Sequence, residues 1–309
     1  MVPWVSLEEA RDLLLRGELL LFPTETVFGL GALSRNHSSC EEIFKIKNRP
    51  RDNPLIVHFG SKAEILEHCL WDDRAEALFQ SFMPGPLTLV LQRKSKILFP
   101  KESDTLAVRI PIHQEFLELL KKLHEPMSAP SANLSGKPSI TDFESARKIF
   151  SGKVKGILRG QLPIYGIEST VVDLSSLSYQ VLRLGALPRA NIEKVLGKAG
   201  VVNQDSWKRS PGTRYKHYSP EGEVVLVKKG SLSSIQEEEA YLGISRVEGK
   251  NITQVKDIQE YILMLYQFLN QCDERSIPKI FLEIPEINSN SESLLDRLET
   301  IVQGRPNKE

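Results

Sequence analysis

Cysteine is almost missing from this chain: Cys40, Cys69 and Cys272 are the three present in 309 residues. Their separations give neither a disulfide framework nor the close pairs of a zinc site, so a reducing compartment is the natural expectation. An excess of charge of either sign is missing too, with 40 Lys and Arg against 40 Asp and Glu. That balance argues against a protein whose main work is coating nucleic acid or an anionic membrane, although a local basic groove stays compatible with it. No apolar run reaches membrane-spanning length, and Met1 to Glu9 have neither the basic start nor the apolar core of a signal peptide. The expectation is a soluble, cytoplasmic protein. His37, His58, His68, His113, His124 and His217 show no paired metal spacing, so a protein-ligated metal is not expected. There is no Gly-x-Ser-x-Gly elbow, no convincing cysteine nucleophile and no internal repeat, which leaves covalent catalysis without a candidate.

What is present is apolar periodicity over a length that suits one large or two unequal domains. Ser6 with Glu9 three residues on, then Leu7, Ala10, Leu13 and Leu14, predicts a capped helix ending near Gly17. Leu19 to Phe22 reads as a short strand stopped by Pro23, from which Thr24-Glu25-Thr26 projects. Ser38 or Ser39, followed by Glu41 or Glu42, opens a second helix that turns Cys40, Ile43 and Phe44 inward and leaves Lys47 and Arg49 at its exit. Strands are expected over Leu55 to Phe59, Leu87 to Leu91, Leu106 to Ile110, Ser169 to Leu174 and Gln180 to Leu184. Helices fit Ala63 to Cys69, Asp73 to Phe82, His113 to Leu123 and Thr141 to Phe150. Strands adjoin one another as often as they alternate with helices, which favours a mixed α/β sheet over a doubly wound parallel one.

Residues 206–221 have no apolar periodicity, carry two prolines among several cations, and read as a linker. Beyond them Glu223 to Val227, Ala240 to Ile244 and Lys279 to Ile284 read as strands, with helices over Val255 to Leu269 and Ser293 to Val302. The expected division is a larger mixed α/β domain over 1–205, the linker over 206–221 and a small α/β domain over 222–309.

Two stretches carry chemistry. Lys45 to Arg51 packs four cations into seven residues at a helix C-terminus, hemmed by Pro50 and Pro54 and just before a buried strand. A solvated surface is the bland reading. The fork of Arg49 beside the point charge of Lys47 suits phosphate oxygens, which need charge-assisted bonds from fixed directions. Thr24-Glu25-Thr26 is either a plain turn or the lip of a polar cleft. Gly29 and Gly31 match neither the phosphate-binding loop nor the dinucleotide fingerprint, which needs glycine where Ser34 stands. Pro126 to Ser139 and Gly166 to Asp173, dense in small hydroxyl residues, pose the same choice between surface loop and cleft lip. His58 at a strand end is either a packed residue or a site residue.

Pro23-Thr24-Glu25-Thr26-Val27-Phe28-Gly29-Leu30-Gly31, Lys47-Asn48-Arg49-Pro50-Arg51-Asp52-Asn53-Pro54-Leu55, Pro84-Gly85-Pro86-Leu87-Thr88 and Ala107-Val108-Arg109-Ile110-Pro111 follow one another in order. After them come Ser128-Ala129-Pro130-Ser131-Ala132-Asn133, Glu168-Ser169-Thr170-Val171 and the linker run from Ser210 to Tyr218. Together the series resembles the YrdC-type threonylcarbamoyl-AMP synthases in their two-domain form. That resemblance implies a YrdC-like mixed, twisted sheet followed by a small Rossmann-like α/β domain. It also implies synthesis of threonylcarbamoyl-adenylate and pyrophosphate from L-threonine, bicarbonate or carbon dioxide, and ATP, with Mg²⁺ carried by the ATP. The product would feed downstream threonylcarbamoyl-transfer machinery that modifies tRNA, without stable tRNA binding or membrane attachment by this chain.

Carried over by position, the resemblance assigns Thr26, His58, Arg109, Ala129 and Ser169 to threonine, with Arg109 on its carboxylate. Arg49, Asn53, Thr105, Ser131, Ser139, Arg183 and Tyr218 would hold ATP, and Lys47 with Arg49 would be the catalytic cations. Two positions depart from the pattern: Phe28 stands where the family usually has tyrosine, and Asn288-Ser289-Asn290-Ser291-Glu292 replaces a glycine-rich stretch. Two rival readings are a module for structured RNA, motivated by Lys208, Arg209, Arg214 and Lys216, and a carbamoyl-transfer domain of metalloenzyme maturation. The neutral balance weakens the first. The second lacks its usual zinc-finger and acylphosphatase-like companions in this sequence.

Overall fold

The computed structural model describes residues 1–201, 218–288 and 291–303. Positions 206–217 of the expected linker, with the cations Lys208, Arg209, Arg214 and Lys216, lie outside the described residues, as do Ser289 and Asn290.

The chain opens with β1 (Trp4–Val5), α1 (Leu7–Leu15), β2 (Leu20–Phe22), β3 (Gly29–Leu33), α2 (His37–Lys47), β4 (Ile56–His58) and α3 (Lys62–His68). It continues through α4 (Asp73–Phe82), β5 (Leu87–Gln92), β6 (Thr105–Arg109), α5 (Gln114–Leu123), β7 (Met127–Ala129) and α6 (Phe143–Ile149). Next come β8 (Gly156–Leu158), β9 (Thr170–Asp173), β10 (Gln180–Arg183) and α7 (Arg189–Leu196). The second part holds β11 (Glu223–Lys228), β12 (Glu239–Gly243), β13 (Asn251–Gln254), α8 (Ile258–Glu274), β14 (Lys279–Ile284) and α9 (Glu292–Gln303).

Among the described residues the first part forms a ten-stranded sheet in the order β1-β8-β2-β3-β7-β4-β6-β5-β9-β10. It is mixed: β2 is antiparallel to β3, whereas β4 is parallel to β6 and β5 to β9. Alternation along β2 sends Leu20 and Phe22 toward α1 and α5, and Leu19 and Leu21 toward α2 and α6. Helices on both faces therefore bury the sheet, and its polar functional residues gather at strand ends.

The expected Ser6–Glu9 capping box is present on α1, with both reciprocal bonds formed. The start of α2 differs from expectation. Its cap is Asn36, which accepts the Ser39 amide, so the helix begins before Ser38. The pattern also gave no sign of β3 or β7. β3 is buried at every position and so lacks the alternation that marks a half-exposed strand. A Cβ at Gly29 would meet the Phe22 ring at 2.5 Å, so glycine here lets β2 and β3 lie close. β7 sits inside the hydroxyl-rich stretch expected as loop or lip, and it pairs antiparallel with both β3 and β4.

The second part is a four-stranded parallel sheet in the order β11-β14-β12-β13. Leu242 and Leu282 on its central strands pack under Tyr261 and Leu265 of α8 and Leu294 and Leu298 of α9. Val27, Ile167 and Tyr218 join that same apolar cluster. The two sheets thus share core where the first presents its polar strand ends. No described helix is long and apolar enough to cross a membrane.

Candidate active site

Thr24, Glu25 and Thr26 are not an exposed turn; none is more than 3% exposed. Pro23 ends β2, and the Thr24 hydroxyl then closes the turn by accepting the Thr26 and Val27 amides at 3.1 and 3.2 Å and donating to the Val27 carbonyl at 2.7 Å. The hydroxyls of Thr24 and Thr26 lie 2.7 Å apart. Such a turn is rigid because its own side chains replace a missing strand ladder.

Arg109 ends β6 and reaches this turn. Its guanidinium donates to Glu25 Oε1 at 2.6 Å, to Thr26 Oγ1 at 3.1 Å and to the Gly85 carbonyl at 3.2 Å. Register puts His58, the last residue of β4, directly beside Arg109. The imidazole lies edge-on to Phe22 and Phe116, and its Nδ1 is buried without a hydrogen-bond partner. Burial, then the neighbouring Arg109 charge, pushes its pKa down to about 3. It is a neutral imidazole at physiological pH.

Across the cleft α2 delivers two more cations. Lys47 is its last residue and only 1% exposed. Its ammonium donates to the Ser131 carbonyl at 2.6 Å, to Asn133 Oδ1 at 3.2 Å and to the Asn133 carbonyl. Asn48 caps the helix in a left-handed conformation with φ of 51°, which turns Arg49 back toward β4. Arg49 donates to the carbonyls of Asn53 and Pro54 at 2.9 and 3.0 Å. Burial first and the Arg183 charge second push Arg49 down to about 9, so it remains a cation at neutral pH. Burial likewise pushes Lys47 well below its ordinary value, with Arg49 adding to the effect. Among the described residues neither ion-pairs with a carboxylate. Lys47 is buried and Arg49 half-buried, and cations held only by carbonyls at such depth are poised for an anion from outside.

The far wall comes from the mouths of β9 and β10. Arg183 donates through Nε and Nη2 to the Ser169 carbonyl at 3.1 and 2.9 Å, and through Nη2 to the Ser169 hydroxyl at 3.1 Å. The Ser169 and Thr88 hydroxyls share a bond of 2.8 Å. One residue earlier, Glu168 accepts from Ser139 at 2.6 Å, Tyr266 at 3.1 Å and Arg297 at 3.2 Å.

All five residues expected at threonine, namely Thr26, His58, Arg109, Ala129 and Ser169, line one cleft with Lys47. Of those expected at the nucleotide, Arg49, Ser131, Arg183 and Tyr218 line it too. Three stand back. Asn53 is buried and offers its carbonyl to Arg49. Ser139 is buried behind the wall on Glu168. Thr105 starts the strand that Arg109 ends, and it lines a separate groove with Arg93 and Lys96. Sequence reasoning missed the Glu25 partnership with Arg109, the Asn133 brace on Lys47, and Arg297 and Tyr266 behind Glu168. Only Glu25 and Asn133 carried a signal, as polar residues inside the two lips. Among the described residues no three of His, Cys, Asp or Glu gather as a metal site.

Two family models match the chain. One, for the Sua5, YciO and YrdC proteins, is described as telomere recombination and matches residues 12–185. The other is described as threonylcarbamoyl-AMP synthase, C-terminal domain, and matches residues 187–300. A threonylcarbamoyl-AMP synthase of Pyrococcus abyssi is 39% identical over 246 residues, covering 76% of this chain and 72% of that protein. One from Bacillus subtilis is 38% identical over 240 residues, covering 75% and 69%. The solved structure of P. abyssi Sua5 complexed with L-threonine superposes with a TM-score of 0.88 at 30% identity, covering 98% of this chain and 97% of that one.

Proposed function

The chain belongs to the Sua5, YciO and YrdC family and carries the C-terminal domain of threonylcarbamoyl-AMP synthases, and from that membership we propose that it is itself such a synthase. It makes threonylcarbamoyl-AMP and pyrophosphate from L-threonine, bicarbonate or carbon dioxide, and ATP, as a cytoplasmic nucleotidyltransferase supplying tRNA modification. The observation that carries this reading is the pair Lys47, buried, and Arg49, half-buried, neither with a carboxylate partner among the described residues, in the same cleft as Thr26, His58 and Arg109.

The chemistry suits that arrangement. The threonine amine adds to carbon dioxide and loses a proton, giving a carbamate. A carbamate oxygen then attacks the α-phosphorus of ATP, forming the new O–P bond as the bond to pyrophosphate breaks. Two anions must meet, and negative charge builds on the phosphoryl oxygens, so positioning and fixed cations supply the catalysis. Arg109 and the Thr26 hydroxyl take the threonine carboxylate and side chain, while the neutral His58 and the Ala129 backbone fix its orientation. Arg49, Ser131, Arg183 and Tyr218 take the nucleotide, Asn53 holds Arg49 through its carbonyl, Ser139 stands behind the wall on Glu168, and Thr105 stays in its separate groove. Lys47 offsets the carbamate and phosphate charge. Magnesium enters on the triphosphate as part of the substrate and keeps most of its waters.

The test is pyrophosphate release from ATP. It is expected only when threonine and bicarbonate are both present, and Arg49→Ala is expected to abolish it. Release indifferent to threonine would reject the substrate assignment.

A further inference from the structure

We propose that Arg297, carried by the second domain, is a positioning residue for the nucleotide half of the cleft; the proposal rests on the function proposed above. Arg297 lies on α9 and is 1% exposed, which is unusual for an arginine on a helix. Its guanidinium donates to Glu168 Oε2 at 3.2 Å, to the Leu184 carbonyl at 2.7 Å and to Asp296 at 2.6 Å. Its other face lies 5.0 Å from the Tyr218 ring. Tyr218 also stacks on Tyr266 of α8 at 5.1 Å and 18°, and the Tyr266 hydroxyl accepts from Arg297 Nε at 3.1 Å and donates to Glu168 at 3.1 Å.

Asp296 is the preceding residue of the same helix, whereas the contacts with Glu168, Leu184 and Tyr218 end beside the nucleotide wall. Glu168 holds the Ser139 hydroxyl, and Asn270 of α8 holds the Ser139 carbonyl at 3.3 Å. Leu184 follows Arg183 in the chain, and Tyr218 faces the cleft itself. Ser169 is shared between the halves, but Arg109 and Thr26 on the threonine side are secured differently, through Glu25, Thr24 and Gly85 of the first domain. Burial pushes the Glu168 carboxyl up, but Arg297, then Arg183 and the Ser139 hydroxyl, outweigh it and hold the group below its ordinary value. Glu168 is therefore a buried anion balanced first by Arg297 and next by Arg183. Without Arg297, a buried carboxylate must recruit the next cation. That cation is Arg183, now engaged with Ser169, so its loss from the wall falls on the nucleotide.

The experiment compares ATP and L-threonine affinities by calorimetry, alongside pyrophosphate release, on the full chain. For Arg297→Gln the expected result is ATP binding weakened ten-fold or more with threonine binding within two-fold. Arg297→Lys, which keeps the charge but loses the planar fork, is expected to fall between Gln and wild type. Unchanged ATP affinity overturns the proposal, and so does equal weakening of both ligands, which would mark a merely structural role. Should Arg297→Gln fail to fold, Tyr266→Phe removes one hydroxyl from Glu168 and decides the matter: a two- to five-fold loss for ATP alone supports it, and no loss overturns it. Wild-type protein that binds ATP but releases no pyrophosphate with threonine overturns the synthase reading, while the ATP comparison still tests Arg297. Wild-type protein that binds no ATP overturns both.

Discussion

Arg109 meets Glu25 at 2.6 Å in the interior, where their side chains are 4% and 3% exposed. The pair joins the end of β6 to the turn after β2, and the second Glu25 oxygen has no hydrogen-bond partner. Removing one member of such a pair strands the other charge in a dry site. Glu25→Ala is therefore expected to lower unfolding free energy by about 3–5 kcal/mol, measured by denaturant titration. A loss under about 1 kcal/mol, as at exposed pairs, would mean that water reaches the pair.

Lys47 presents the opposite case. Its charge faces carbonyls of Ser131 and Asn133 and no carboxylate among the described residues. Lys47→Met relieves the cost of burying an ammonium while leaving those carbonyls short of a donor, two effects that oppose each other. Stability is expected to change by no more than about 1 kcal/mol. Losing one fixed group that stabilises transition-state charge lowers kcat by about 10²–10³-fold, and pyrophosphate release should fall accordingly. Activity within a few-fold of wild type would remove Lys47 from the chemistry.

Local features of the fold were legible because their causes are local. The α1 capping box lies within four residues, and Lys47 and Arg49 follow a helix whose inward face of Cys40, Ile43 and Phe44 shows in its spacing. β3 was hidden because a strand buried on both faces need not alternate, and the Asn36 cap because Ser38 and Ser39 offered competing signals. The brace behind Glu168 had no sequence signature at all. Arg297 reads as an ordinary helix charge, and only its contact with Glu168 and Leu184, residues that flank β9 and β10, makes it an interior cation.

His58 makes stability depend on pH. Its folded pKa is about 3 against an ordinary 6.5, so below 6.5 the unfolded chain binds the extra proton. Its contribution is full above pH 6.5 and is lost as pH falls from there toward 3. The limiting slope is about 1.4 kcal/mol per pH unit. His68 is also depressed, mainly by burial, and acts in the same window. The informative quantity is therefore the difference between wild type and His58→Gln. Denaturant titrations from pH 6.5 to 5 are expected to show a shallower slope in the variant, and equal slopes would place the proton elsewhere.

Gly185 tests how tightly the far wall is built. A side chain there would press on the Glu168 carbonyl and lie 2.7 Å from the Ser169 carbonyl oxygen, both backbone atoms that cannot step aside as a flexible side chain can. Gly185→Ala is expected to cost about 1–3 kcal/mol in stability, the usual range for overpacking. Its effect on ligands should differ from that of Arg297→Gln. Ser169 stands where the two halves of the cleft meet, bonded to Thr88 on one side and Arg183 on the other, so displacing it should weaken threonine and ATP together. Calorimetry of both ligands on the folded variant checks this. Threonine affinity left intact would mean that the 168–169 segment serves the nucleotide alone.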